Sequence, residues 1–353
     1  MRWLPLYFLF LIISNAQVAV AQTADLSKGK WVKLATNKQA IYQVSGTQLK
    51  QMGFSLPINS NKLQLFGFDL TKLTEKVPAN VPVGNLELAI EIRDGGDGIF
   101  DEKDIFLFYA PGNLRWEKDL ISQNWNAKKL HYSDTAYYFL TIGENGKRIN
   151  RINNSTIASQ KVNTYTAHFI WEQDSVNLLN SGKLWLGAPM GQGVGKTATV
   201  NYSFNSNKLQ NNAPVLFDAQ FVSTNYNQDA QFDIKWNDTK IKTISIQPVS
   251  GLVYDAVASC IVDSFSYWPV QNNNTSNNLT IQYNAPQGST GYIDYVAMHL
   301  PMQLSFVDNS YFVFDGQEDA LNYEYQIANA DTTSFVWDIS NPLQPLALSA
   351  TYL

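Results

Sequence analysis

The sequence predicts an all-β protein built from two consecutive β-sandwich or jelly-roll-like domains with at most one or two short helices. Three observations carry that prediction. Apolar and polar residues alternate with period two through most of the chain, and Asn, Asp and Gly clusters punctuate the alternating runs at short intervals. Charged residues make up only 16% of the 353 and aromatics 13%, against a usual charged share of about 25%. Low charge with abundant aromatic, hydroxyl and amide side chains suits half-buried sheet surfaces.

The chain opens with an export signal by pattern. Met1 and Arg2 form a short positive start, "WLPLYFLFLIIS" is apolar, and Ala19 to Ala21 ("AVA") offers a cleavage site before Gln22. The apolar run is shorter than the about 20 residues that span a bilayer, and no later stretch is apolar enough to do so. No cysteine follows the cleavage site to carry a lipid anchor. The expectation is an exported protein with no transmembrane segment after residues 1–21 are removed.

An N-terminal β domain is expected over 22–156. In it Leu86, Leu88, Ile90 and Ile92 alternate with Glu87, Ala89, Glu91 and Arg93, the pattern of a half-buried strand. "SGTQLKQMGF" (Ser45 to Phe54) is the one helical stretch, with Ser45 or Thr47 as its cap and Gly53 as its stop. The polar run "GENGKRINRINNSTIASQK" then reads as a seam. A β-sandwich domain is expected over 164–304, with strands at "TATVNYSF", "PVLFDAQFV", "QFDIKWND", "IKTISIQPV" and "NLTIQYN". Asn237-Asp238 and "QNNNTSNN" (Gln271 to Asn278) read as turns between them. Residues 305–353 remain as a tail.

Composition narrows the function classes. A net charge of −5 provides no basic field for nucleic acid and no charge block for anionic lipid. Cys260 is the single cysteine, so the chain cannot staple itself. Its apolar, β-branched surroundings in "AVASCIVDSF" predict a buried, inert thiol.

The densest polar cluster is "DGGDGIFDEKD". Calcium takes hard oxygens supplied by Asp side chains on a glycine-rich turn, which makes Asp94, Asp97, Asp101 and Asp104 the candidate ligands. An EF-hand is excluded, because Arg93 and Gly95 would fall on ligand positions and the flanks read as strands. The competing reading is a wide glycine turn whose carboxylates cap backbone amides. "GQGVGKT" (Gly191 to Thr197) lacks the spacing of a phosphate loop and runs into a strand, so it reads as a flexible connection. His131, His168 and His299 are scattered in sequence without zinc spacing. Asp294, inside "GYIDYVAMHL", reads as a structural hydrogen-bonding acid. Trp116, Trp125, Trp171, Trp185, Trp236 and Trp268 raise a sugar-stacking alternative to burial in the core. Nothing in the linear pattern assembles a catalytic centre.

Several motifs, in order, carry a resemblance. They are "WVKLATNKQAIYQVSGTQLKQMGF", "KLQLFGF", "DGGDGIFDEKDIFLFYAPG", "HYSDTAYYFLTIGENGKRI", "SGKLWLGAP", "GYIDYVAMHLPMQL" and "FVWDISNPLQPLAL". Together they resemble the N-terminal region of the PorU-type sortases of the type IX secretion system, relatives of the gingipain-type cysteine peptidases. The resemblance implies a surface-exposed outer-membrane protein whose partners are type IX secretion components and secreted cargo. The family removes the C-terminal signal from cargo and attaches the cargo to an anionic lipopolysaccharide. Its nucleophilic Cys and paired His lie in a peptidase domain that follows the region matched here. Cys260 matches no nucleophile motif, so no catalytic residue carries over. The expected role is therefore a structural or docking β module, from a truncated, split or peptidase-free gene product. The alternative is a freestanding exported carbohydrate-binding or adhesive β-sandwich.

Overall fold

The computed structural model describes residues 24–68, 86–119, 124–130, 133–153, 157–180, 182, 184–210, 212–270, 276–307, 311–317 and 322–352. The export segment 1–21 and His131 lie outside the described residues. Nearly every regular element is a strand, and one α-helix is present among the described residues. None of those residues forms a helix long and apolar enough to cross a membrane.

The chain divides into two compact units. One comprises the described residues of Met1–Asn154 together with Phe335–Thr351, the other those of Ser155–Ser334. The first contains β1 (Val32–Thr36), β2 (Ala40–Ser45), α1 (Gly46–Gln51), β3 (Ile58–Asn59), β4 (Leu63–Gly67), β5 (Leu86–Leu88), β6 (Glu91–Arg93), β7 (Ile99–Phe100), β8 (Ile105–Ala110), β9 (Leu114–Lys118), β10 (Trp125–Lys129), β11 (Ala136–Ile142) and β12 (Asn150–Ile152). The second contains β13 (Gln160–Val162), β14 (Thr164–Glu172), β15 (Thr199–Asn205), β16 (Val215–Ser223), β17 (Ala230–Trp236), β18 (Thr239–Ile246), β19 (Ser259–Tyr267), β20 (Ser276–Asn284), β21 (Gly291–Gln303) and β22 (Tyr323–Tyr325). Two last strands, β23 (Val336–Asp338) and β24 (Leu346–Leu348), return to the first unit.

In the first unit a sheet ordered β1-β11-β4-β5 and a sheet ordered β2-β8-β6 enclose one core. Leu65, Ile90, Phe106, Phe108 and Tyr138 meet there, and Phe108 and Tyr138 lie 5.2 Å apart between ring centroids. Each such side chain stabilises the fold by about 1.5–3 kcal/mol when fully withdrawn from water. Helix α1 forms where its signals predict. Ser45 caps it through a reciprocal capping box with Gln48, and Gly53 ends it at φ +85°, the left-handed conformation that favours glycine.

The strand expected around Leu86 to Arg93 is interrupted between β5 and β6, and its polar face is not uniformly wet. Glu87 is only 2% exposed. Its carboxylate accepts the Lys147 amide at 2.8 Å and the Gln64 side-chain amide at 3.3 Å. Period two places Glu87 opposite the core of one layer, but the 145–148 segment covers that second face as well.

The second unit is a jelly roll. Its eight long strands, β14 to β21, fill two sheets ordered β14-β21-β16-β19 and β15-β20-β17-β18. All the pairings are antiparallel. Taken in chain order the positions are 1-8-3-6 and 2-7-4-5, the wiring of two Greek keys. Alternation dictates the core between the sheets: Phe217, Phe221, Phe232, Trp236, Ile281 and Met298 all point into it. The run read as a turn at Gln271 to Asn278 ends inside β20. Its Asn277 is buried and exchanges hydrogen bonds with Asn237 at 2.7 Å and Ser206 at 2.5 Å. Amide side chains that read as turn formers are kept in a strand here by complementary partners.

The stretch 305–353, read from sequence as one tail, is shared out. β22 pairs in parallel with β13 in the second unit, while β24 pairs in parallel with β12 and antiparallel with β23 in the first. Parallel pairing between segments almost 200 residues apart leaves no local periodic trace.

Candidate functional site

The acidic corner between β6 and β8 is set by its backbone. Gly95, Gly96 and Gly98 all hold positive φ, with open space where a Cβ would stand. Each aspartate then accepts from a nearby amide. Asp94 Oδ1 takes the Gly96 N–H at 3.0 Å, and Asp97 Oδ1 takes that of Ile99 at 2.8 Å. Asp101 Oδ1 takes that of Lys103 at 2.7 Å, and Asp104 Oδ2 takes that of Asp101 at 2.6 Å. The Ser60 hydroxyl donates to Asp94 Oδ2 at 2.5 Å and, as the main cause, holds that carboxyl below the usual carboxylate range. The four candidates thus share one loop but serve different amides. Among the described residues no group of three or more His, Cys, Asp or Glu side chains could hold a metal ion.

The corner also seats helix α1. Gly46 N–H donates to the Asp104 carbonyl at 2.8 Å, and Thr47 donates to the Glu102 carbonyl through both its amide and its hydroxyl. A Cβ at Gly46 would collide with the Asp101 carbonyl, so glycine permits this close approach. Lys50 pairs with the Glu102 carboxylate at 2.5 Å across an exposed surface. Arg148 lies beneath, donating to the carbonyls of Ser60, Leu63 and Lys147. Burial pulls its pKa down, while the charges of Glu87 and Asp94 push it back up.

In the jelly roll, two histidines that are 131 residues apart meet. His168 on β14 and His299 on β21 are register partners with their Nδ1 atoms 2.8 Å apart. His168 Nε2 lies 3.2 Å from Asp315 Oδ2. If His168 Nε2–H donates to Asp315, its Nδ1 accepts from His299 Nδ1–H, and neither ring needs a charge. Burial first, and the neighbouring His168 second, push His299 down to about 3. Sequence reasoning missed this cluster because only the antiparallel register brings the rings together. Both nitrogens of His168 are engaged, so the group is a hydrogen-bond chain running from buried His299 to half-exposed Asp315.

Cys260 corrects the expectation of a buried thiol. It is exposed on the outward face of β19, and its Sγ accepts from Gln220 Nε2 at 3.1 Å. The apolar neighbours that suggested burial, Ile261 and Phe265, point to the other side. Partial desolvation raises the thiol pKa, which opposes thiolate formation. Asp294 sits at the bulge in β21, where the register with β16 shifts between Tyr295 facing Gln220 and Ile293 facing Phe221. The Gly191–Gly195 loop leads to Lys196, whose Nζ donates to Thr290 Oγ1 at 2.7 Å, and then into β15. Trp236 is buried, Trp171 stacks on Tyr202 at 4.7 Å, and Trp116 and Trp125 belong to the β9–β10 hairpin. Trp185 and Trp268 are exposed on separate segments. Of the six, Trp116 and Trp125 share one face of the β9–β10 ladder, by a register that sets Trp116 opposite Ala127 and Trp125 opposite Lys118.

No family model matches the chain, and no curated protein matches it. Among solved structures it is similar to dimeric latent PorU from Porphyromonas gingivalis, with a TM-score of 0.73 at 15% sequence identity over 93% of this chain. The chain has a PorU-like fold. It spans 30% of that PorU chain's length. Two carbohydrate-binding modules also overlap it, both at low TM-score. The CBM36-1 domain of a xylanase from the hindgut metagenome of Trinervitermes trinervoides aligns at 16% identity over 38% of this chain and 96% of that one, TM-score 0.24. CBM36 in complex with calcium and xylotriose aligns at 9% identity over 37% and 98%, TM-score 0.23.

Proposed function

We propose that this chain is the non-catalytic N-terminal region of a type IX secretion sortase, exported and displayed at the outer membrane. It works there as a structural and docking β module. Removal of the cargo's C-terminal signal and attachment of the cargo to the surface would belong to a cysteine peptidase domain. One observation carries this reading: a PorU-like fold over 93% of the chain. The ordered sequence motifs and the export pattern at residues 1–21 point the same way. The environment of Cys260 agrees with a non-catalytic role, since its hydrogen-bond partner is Gln220 and its pKa is raised.

The test is an in-frame deletion of the two units from the gene in its host. Mass spectrometry of secreted type IX cargo then reports the cargo C-termini. Cargo should keep its C-terminal signal in the deletion strain, and restoring the chain should restore processing. Fully processed, surface-attached cargo in the deletion strain would overturn the proposal.

A further inference from the structure

The jelly-roll strands all pair antiparallel, so the connections β14–β15, β16–β17, β18–β19 and β20–β21 leave the sandwich at one end. Main-chain bonds tie the four connections together there. Met190 N–H donates to the Gly291 carbonyl at 2.8 Å, Thr224 N–H to that of Thr290 at 2.9 Å, and Val249 N–H to that of Asn225 at 2.9 Å.

From this tied base the β18–β19 connection projects a closed turn. Ser250 Oγ donates to the Asp255 carboxylate and accepts the Leu252 N–H at 3.2 Å, while Asp255 N–H donates to the Leu252 carbonyl at 3.1 Å. Gly251 turns the chain at φ +73° with its Cα against the Tyr226 ring. The turn displays Leu252, Val253 and Tyr254, which are 68%, 91% and 99% exposed. Other large apolar residues are exposed too, Ile157 and Val270 among them, and such scatter is normal. Among the described residues, however, only at 252–254 are exposed large apolar residues consecutive in sequence. A run of three exposed apolar residues has no place in a soluble surface without a function. At the same end Val194, also fully exposed, stands between Gly193 and Gly195 in the β14–β15 connection.

We propose that the Leu252–Tyr254 turn is a membrane-docking tip that enters the apolar boundary of a neutral lipid surface, with Val194 as a second contact. Shape and charge single out this occupant. Val253 and Tyr254 stand clear of the rest of the molecule, a convex tip that a fluid layer can close around. A folded partner or a second copy, meeting three side chains, would bury far less than the about 1,000 Å² that a specific protein interface needs. Residues 247–258 contain no cation, and their one charge, Asp255, is held at the base of the turn by Ser250. Anionic headgroups therefore give no attraction, and the contact rests on apolar burial, with the Tyr254 hydroxyl able to stay at the headgroup level. So short a tip gives reversible attachment rather than a permanent anchor, as a single acyl chain does. The inference rests on the jelly roll alone and not on the sortase reading. The cargo test in the host and the vesicle test below can fail independently.

The full chain carrying Cys260→Ser and Val253→Cys is labelled at residue 253 with nitrobenzoxadiazole and titrated with phosphatidylcholine vesicles. The label's emission should rise and shift to the blue as it leaves water. The same label at Asp238→Cys, in the β17–β18 turn at the opposite end, should not respond. In vesicle co-sedimentation of the unlabelled chain, Val253→Asp should weaken partition at least about tenfold, equivalent to about 1.4 kcal/mol, because a carboxylate would have to enter the apolar boundary. The melting temperature should be unchanged, since the side chain projects into solvent. Leu252→Ser serves the same purpose if that variant does not fold, with partition again reduced. Partition should also be insensitive to salt. No spectral response at residue 253 would overturn the proposal, as would an equal response at residue 238. Unchanged partition of the folded tip variants would overturn it too. Binding confined to vesicles containing phosphatidylglycerol and abolished by salt would do the same, making the attraction electrostatic.

Discussion

The two units reach order by different means. The jelly roll is held by long antiparallel ladders and a continuous aromatic core, with Phe221 stacked on Phe232 at 4.6 Å and Phe217 on Phe265 at 4.7 Å. The first unit has shorter strands, many of them two to five residues long. It relies on polar groups to join them: the capping box of α1, the aspartate-capped corner, and Glu87 with Arg148 beneath the sheet. Long strands obtain their specificity from register. Short ones must have every loose amide answered locally, which is why the acidic corner carries so many carboxylates.

That contrast can be broken at its strongest point. Phe232→Ala should remove about 3–5 kcal/mol, seen as a lower melting temperature with loss of hydrogen-exchange protection centred on β16, β17 and β20. Uniform loss across both units would mean that they do not differ as described. In the first unit, Glu87→Leu should cost about 3 kcal/mol by leaving the Lys147 amide unanswered and Arg148 with Asp94 alone as counter-charge. Chemical denaturation would measure this, and a loss below about 1 kcal/mol would show that the buried carboxylate is not what ties this unit.

The pH response sharpens the comparison. His299 in the folded jelly roll is held near 3, below its ordinary 6.5. Below 6.5 the unfolded chain takes up a proton that the folded chain refuses. Stability from this group is therefore fully present above 6.5 and declines as pH falls toward 3, by at most about 1.4 kcal/mol per pH unit. His299→Phe should flatten the dependence of melting temperature on pH in that window. An unchanged slope would show that the ring takes its proton without penalty.

Smaller effects belong to the acidic corner. Asp97→Ala should cost about 1 kcal/mol through its lost cap on Ile99. Glu102→Ala, which removes only a solvent-facing partner of Lys50, should cost less than about 0.5 kcal/mol. Equal losses would count against separate roles for the two acids. Smallest of all, EDTA should leave the melting temperature unchanged if the carboxylates serve the backbone. A fall of several degrees would show that they also hold a cation.

Much of this architecture was legible in local pattern. The alternation in "PVLFDAQFV" and "QFDIKWND" became β16 and β17, and Ser45, Gln48 and Gly53 marked the helix. The candidate sites were legible as residues but not as groupings. The aspartates were visible as a cluster, yet which amide each serves depends on the backbone path through three glycines with positive φ. His168 with His299, and Glu87 with Arg148, could not be foreseen, because a second layer or a distant strand brings each pair together. Cys260 was misjudged for the same reason. Neighbours in sequence alternate sides of a strand, so their polarity says little about the face on which a given residue lies.

By itself the sequence determined the all-β class, the helix and its ends, the punctuation of the strands and the acid-rich corner. Those follow from near-neighbour sterics, hydrogen bonding and period-two hydrophobicity. Only the tertiary structure decided that residues 335–351 return to the first unit, that the eight long strands wire as a jelly roll, and that His168 and His299 meet across one ladder. These are choices among pairings of similar local energy, and they are resolved by which burial of the whole set leaves the fewest polar groups unanswered.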